Sequence, residues 1–198
     1  MTSVGLFISN AKDSQETAVK KETVYVTTPI LDPTFTATHS ATVDISGRIP
    51  QKLTVKLYVN DTLVDKITPS KDKTFTFKGV SLEKGTNTIQ AKAENDDKKE
   101  SDFSNTITID YKNDKPKLTV ENPSDGKTFS KDDNAALVTG TTDTGNKVTV
   151  NGFQAIVDSE GKFTYNLPLQ GGENTIKITA TDDAGNTTDM ERKVTYNQ

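Results

Sequence analysis

Apolar and polar residues alternate over short stretches almost everywhere after residue 22. In KLTVKLYVN, Leu53, Val55, Leu57 and Val59 share one face, and Lys52, Thr54, Lys56 and Tyr58 share the other. In NTIKITATD, Ile176, Ile178 and Ala180 oppose Thr175, Lys177, Thr179 and Thr181. A period of two belongs to a strand with one buried side, and the many threonines suit a pleated, half-exposed surface. No stretch in these regions carries apolar residues at i, i+3, i+4 and i+7, so no helix is predicted there. Turn residues punctuate the runs at Asn60–Thr62, Thr144–Asn146, Asn151–Gly152, Asp158–Gly161 and Asp182–Asn186. In the C-terminal half, strands are predicted to begin near Lys117, Ala135, Lys147, Phe153, Lys162, Thr175 and Thr187, a spacing that fits a sandwich.

The pattern is written twice. GGENTIKITATDDAGN at 171–186 echoes KGTNTIQAKAENDD, 87 positions earlier. At that offset Val80 and Leu82 fall on Leu167 and Leu169, Gly85 on Gly172, and Asn87-Thr88-Ile89 on Asn174-Thr175-Ile176. Ala91 and Ala93 fall on Ile178 and Ala180, and the same offset carries Ile107 and Ile109 onto Val194 and Tyr196. Upstream the spacing drifts: Phe75 and Phe77 match Phe163 and Tyr165, while Val59-Asn60 matches Val150-Asn151. The drift lies where turns are predicted, and insertions collect in surface loops. A tandem duplication follows.

The predicted fold is therefore all-β: two tandem immunoglobulin-like antiparallel β-sandwiches of about seven strands each, with a poorly structured N-terminal segment. The first sandwich spans 23–111, the second 117–198, and 112–116 forms a short linker ending at Pro116. Residues 1–22, including the charged KDSQETAVKKE, lack a strand period and precede the first credible strand, TVYVTT. They are expected to join neither core, forming a flexible tail, a marginal helix or the remnant of a membrane anchor. The short linker, with Pro116 restricting its own φ and the conformation of Lys115, predicts a monomeric end-to-end rod without a large interdomain interface.

Composition narrows the picture. A hydrophobic fraction of 31% over 198 residues suits two thin cores better than one deep one. The 24 basic and 28 acidic residues nearly balance, and no basic stripe interleaves with aromatics, which argues against nucleic-acid binding. Absence of cysteine removes disulfides, thiolate metal sites and cysteine nucleophiles. The apolar VGLFI at residues 4–8 is too short for a secretory signal core, and no run approaches the ~20 residues of a spanning helix.

Candidate chemistry is sparse. His39 stands alone, without a G-x-S-x-G elbow or a second histidine, and reads as an exposed residue entering a strand. Asp182, Asp183 and Asp189 surround the AGN turn, and Asp132, Asp133 and Asp143 lie in the same copy. Calcium takes such oxygen ligands, but the spacing fits turn geometry better. Asp110, Asn113 and Asp114 in IDYKNDKPKLTV faintly resemble a cadherin connector, though the matching upstream acidic motifs are missing. GTTDTGNK at 140–147 lacks both the spacing and the following helix of a phosphate loop. The sequons at Asn60 and Asn186 mark exposed turns, and Tyr58 projects alone from the polar side of its strand. No catalytic, cofactor-binding or metal-ligating residue is assigned, and no cofactor is expected.

VTGTTDTGNKVTVNG, DSEGKF and GENTIKITATDDAGN in the second copy resemble the bacterial Ig-like domains related to domain B of glucodextranase. The first copy keeps Ser46-Gly47, Val59-Asn60, FTF at 75–77 and GTNTI, but ENDDKKES replaces the D-x-A-G-N turn. The resemblance implies an extracellular accessory module of a bacterial surface protein or of a secreted carbohydrate-active enzyme. The expected function is a non-catalytic spacer or adhesion module, wall- or membrane-anchored in the full-length protein, with a surface protein or glycan as partner. The alternative is a carbohydrate-binding accessory to a polysaccharide-acting enzyme.

Overall fold

The computed structural model describes residues 25–69 and 73–197. Every regular element among them is a strand. The first sandwich comprises β1 (Ile30–Leu31), β2 (Ala37–Thr38), β3 (Thr42–Arg48), β4 (Thr54–Val59), β5 (Thr62–Ile67), β6 (Thr74–Ser81), β7 (Gly85–Glu94) and β8 (Ile107–Tyr111). The second comprises β9 (Leu118–Asn122), β10 (Thr128–Phe129), β11 (Ala135–Thr142), β12 (Lys147–Val150), β13 (Phe153–Gln154), β14 (Ile156–Val157), β15 (Lys162–Pro168), β16 (Gly172–Thr181) and β17 (Thr187–Tyr196). Sheet β1-β3-β6 is partnered by β2-β8-β7-β4-β5, and sheet β14-β15-β11-β9 by β10-β17-β16-β12-β13.

Pairing is antiparallel except at two short edges, where β2 runs parallel to β8 and β10 parallel to β17. In each sandwich the entering chain pairs with one sheet and then crosses to the other, through a segment containing Pro33 or Pro123. Proline cannot donate to a ladder, so such a crossing is a tolerated place for it.

Each sandwich has its own core. Ile45, Leu57, Phe77, Ile89 and Ile109 lie in the first, and Val138, Phe163, Ile176, Ile178 and Val194 in the second. The alternation predicted from sequence holds, with Val55, Leu57 and Val59 of β4 and Ile176, Ile178 and Ala180 of β16 all buried.

The repeated Gly-x-Asn-Thr-Ile phrase has a structural cause. Gly85 and Gly172 open β7 and β16 with φ of 95° and 93°, in the left-handed region that glycine enters without a Cβ penalty. Two residues on, Asn87 closes the preceding loop: its Oδ1 accepts from Glu83 N at 2.9 Å, and its Nδ2 donates to Glu83 O at 2.7 Å and Gly85 O at 2.9 Å. Asn174 repeats this with Gln170 and Gly172. A second shared device is space. A Cβ on Gly47 would lie 2.5 Å from both Ile30 O and the Phe75 ring, and one on Gly140 would lie 2.0 Å from Thr119 O and 2.6 Å from the Phe163 ring.

Several expectations need correction. The part of TVYVTT within the described residues forms no strand, and Tyr25 is exposed; its short alternation finds no ladder partner. The rest of that segment, and all of residues 1–22, lie outside the described residues. The strand expected near Thr175 begins at Gly172, because the turn glycine already pairs with Tyr196. The constant offset also fails in the last strand. Ile109 pairs with Asn87 and Val194 with Asn174, so Ile109 corresponds to Val194, not to Tyr196.

The two-residue slip is absorbed by a detour through residues 100–106. Ser101 and Ser104 donate their backbone N–H groups to Ala93 O at 2.9 Å and Ala91 O at 2.8 Å. Their hydroxyls accept from Ala93 N and Ala91 N, each at 2.9 Å. Buried amides need partners, and these hydroxyls fill the role that β17 carbonyls fill opposite β16.

Candidate functional site

Two places gather polar side chains: the outer face of the first sandwich, and the joint between the sandwiches. On the outer face, Lys56 of β4 contacts Glu94 of β7 and, at 2.8 Å, Glu100 from the detour. Lys92 adds a 3.1 Å contact to Glu100 and lies 4.5 Å from the centre of the Phe103 ring. Phe103 meets Tyr58 edge-on, with ring centres 5.3 Å apart. Tyr58 therefore does face outward, but with an aromatic partner that alternation in β4 alone did not reveal. The missed signal was the Asp-Phe-Ser of the detour, where an aromatic sits in a polar loop.

The electrostatics of this face oppose acid–base chemistry. Hydrogen bonding to Lys56 first, and to Lys98 or Lys92 next, holds Glu94 and Glu100 below the usual glutamate range. The same bonds, led by Glu100, raise Lys56. A general acid near neutrality needs its carboxyl raised instead. Both glutamates remain ionised, and neither can donate a proton.

At the joint, β8 runs out into Lys112, whose N–H donates to Thr38 O at 3.0 Å. Its ammonium sits 2.9 Å from one Asp183 oxygen and 3.4 Å from Asp110. Asp183 first, and Asp110 less, raise its pKa. The Asp182–Asn186 turn is closed by Asn186 N donating to Asp182 Oδ1 at 2.7 Å. Asn186 Nδ2 then donates to Lys112 O at 3.0 Å. His39 lies just after β2, and its Nδ1 donates to Ala184 O at 2.8 Å; the carbonyl can only accept, so Nδ1 carries the proton. Thr188 Oγ1 donates to Pro116 O at 2.5 Å, and Lys117 N donates to Asp143 Oδ2 at 2.8 Å, which fixes the linker to the second sandwich. A cleft of about 310 Å³ beside the joint is lined by Lys112, Asp114, Asp143 and Asp182, among others.

His39 is thus exposed, as expected, but it leaves a strand rather than entering one, and it bonds across the joint. Asp110 and Asp183 face an ammonium, while Asp114 pairs with Lys84 at 2.6 Å. Asn113 is exposed, and the structure does not bring Asp110, Asn113 and Asp114 together as a ligand set. Asp189 accepts from Thr179 Oγ1 at 2.5 Å and pairs with Lys177; these contacts, Thr179 first, lower its pKa. Asp133 bonds Ser130, and Asp132 is exposed. The 140–147 stretch runs from β11 through a turn into β12, with no helix to present a phosphate site. Asn60 and Asn186 both spend their side chains on structure, Asn60 Oδ1 accepting from Thr88 N at 2.9 Å.

The fold defines a class: tandem Ig-like, fibronectin III-like β-sandwiches. Among solved structures it is similar to fibronectin(III)-like modules from CbhA of Clostridium thermocellum, with a TM-score of 0.58 at 20% identity over 86% of this chain and 94% of that one. Residues 116–198, the second sandwich, match the model of the family described as glucodextranase, domain B. The chain is also 32% identical over 160 residues to Bacillopeptidase F of Bacillus subtilis, covering 81% of this chain and 11% of that protein. A 59-residue stretch is 42% identical to the PII-type proteinase of Lacticaseibacillus paracasei, 3% of that protein's length. The chain thus spans a small fraction of the relatives it resembles.

Proposed function

We propose that this chain is a non-catalytic extracellular spacer or adhesion module, projecting other parts of a bacterial surface protein away from their point of attachment. The observation that carries this reading is the polar joint, which sets one sandwich at the end of the other through loops. The ionised state of Glu94 and Glu100 supports a non-catalytic role, since those two carboxylates converge without a proton to give. The size of Bacillopeptidase F and the PII-type proteinase relative to the matched regions fits a module that accompanies a larger protein. Small-angle scattering tests the reading: an elongated distance distribution is expected, and a compact, near-spherical one overturns it.

A second reading, carbohydrate binding, is favoured by one observation. Phe103 and Tyr58 present partly exposed rings beside Lys56, Lys92, Glu94 and Glu100, and ligand sites combine apolar surface with a few oriented polar groups. A glycan array separates the two. A reproducible sugar-specific signal that Phe103→Ala abolishes selects binding, and a blank array selects the spacer.

A further inference from the structure

We propose that the Asp182–Asn186 turn is a docking element that fixes the second sandwich to the C-terminal pole of the first, so that the two move as one body. Its Ala-Gly-Asn residues serve the docking as well as the turn. A spacer can be hinged or stiff, so this goes beyond the reading above, and either can fail without the other.

The duplication supplies the control. Asn95–Lys99 in the first sandwich follows the same path as Asp182–Asn186. Asn95 N donates to Lys99 O at 3.1 Å and Lys98 N to Asn95 O at 3.0 Å, as Asp182 N donates to Asn186 O at 3.1 Å and Gly185 N to Asp182 O at 3.2 Å. The side chain at the first position caps the last amide in both, Asn95 Oδ1 to Lys99 N and Asp182 Oδ1 to Asn186 N. Lys98 even adopts the left-handed conformation, with φ of 63° against 89° at Gly185. The turn therefore closes with Asp97-Lys98-Lys99 in place of Ala184-Gly185-Asn186, so closure alone does not require the latter three, although the left-handed position favours glycine.

What demands them is the neighbouring sandwich. Ala184 is buried yet belongs to neither core. Its carbonyl accepts from His39. A Cβ on Gly185 would stand 3.2 Å from His39 Nδ1, so a side chain there would crowd the imidazole. Asn186 reaches the Lys112 carbonyl, and Asp183 holds the Lys112 ammonium. Aspartate at 184 would bury a charge, which is costly without a partner, and lysine at 186 would set a second ammonium near Lys112. The receiving pole is equally particular. Ser130 and Asn197 stand at the end of the second sandwich that corresponds to His39 and Lys112. That pole carries neither an imidazole nor an ammonium at those two positions. The surface made by His39 and Lys112 thus fits a following module with a D-x-A-G-N turn.

The chain has no cysteine, so Lys78→Cys and Thr164→Cys, both on exposed strand positions, accept spin labels for pulsed EPR distance measurement. The doubly labelled protein should give a narrow distance distribution. Grafting the first turn's residues onto the second, as Ala184→Asp, Gly185→Lys and Asn186→Lys together, should broaden it several-fold, with the amide spectra of both cores retained. A broad distribution in the unmodified turn, or equal widths in both proteins, overturns the proposal. If the graft unfolds the second sandwich, His39→Ala with Lys112→Ala decides: both residues lie outside the cores, so broadening supports the joint and an unchanged width overturns it.

Discussion

The turn at Asn95–Lys99 and the turn at Asp182–Asn186 share a backbone and almost no side-chain chemistry. One carries Asp97, Lys98 and Lys99 into solvent; the other buries Ala184 and sets an exposed Gly185 against His39. The same division runs through both sandwiches. Gly85 and Gly172, Asn87 and Asn174, Gly47 and Gly140 do identical work in the two copies, because each answers a demand of the fold itself. The Ala-Gly-Asn of the second turn, where the first has Asp97-Lys98-Lys99, answers to what lies outside the core. A repeated motif therefore mixes residues needed for folding with residues needed for contact, and only the unequal copy tells them apart.

The largest effects should come from filling the shared glycine spaces. Gly140→Val would drive a side chain into Thr119 O and the Phe163 ring, and overpacking of this kind costs ~3 kcal/mol or more when backbone must move. The expected result in urea is loss of the second sandwich's transition with the first's preserved. Gly47→Val should do the reverse. A single shared transition in either variant would break the picture of two separate cores.

The loop-closing asparagines should differ by their burial. Asn87 is fully buried, whereas Asn174 is part-exposed. Asn87→Ala leaves Glu83 N and O short of partners, at a cost of about 1–3 kcal/mol, while Asn174→Ala leaves groups that water can reach and should cost less. Denaturant midpoints of the two variants, compared within each sandwich, check the order.

Acid should weaken the first sandwich's outer face. Glu94 and Glu100 have lowered pKa values in the folded state, so their contribution is present above the ordinary glutamate pKa and is lost as pH falls through the folded values. Thermal scans from pH 6 down to pH 3 should show a decline in the first transition that Lys56→Met largely removes, since the charge partner is gone. An equal decline with and without Lys56 would assign the effect elsewhere. The smallest change is expected from Lys98→Gly. It places glycine where the second turn already has it, relieves a left-handed lysine at φ of 63°, and should raise the first transition by no more than about 1 kcal/mol.

Much of the fold was legible because strands declare themselves locally. The alternation in KLTVKLYVN and NTIKITATD, the turn residues between runs and the duplicated phrase all depend on neighbours within a few positions. The parallel edge pairs and the crossing of each entering strand were not legible, because two-residue strands carry no period. Register in the last strand was missed for a related reason: ENDDKKESDFSN keeps its polar character whether or not two residues leave the ladder, and the repair by Ser101 and Ser104 involves hydroxyls that read as ordinary loop residues.

Sequence by itself determined that the chain folds as two β-sandwiches, which turns are tight, and which residues alternate into each core, since backbone sterics and the two-residue period act over short range. Tertiary structure alone decided that His39 meets Ala184, that Lys112 takes the place between Asp110 and Asp183, and that Phe103 joins Tyr58. His39 and Ala184 are 145 positions apart, Lys112 and Asp183 are 71 apart, and Tyr58 and Phe103 are 45 apart. These contacts arise where loops from different strands are carried to a common pole or face, and no local pattern of hydrophobic and polar residues encodes which loops will meet.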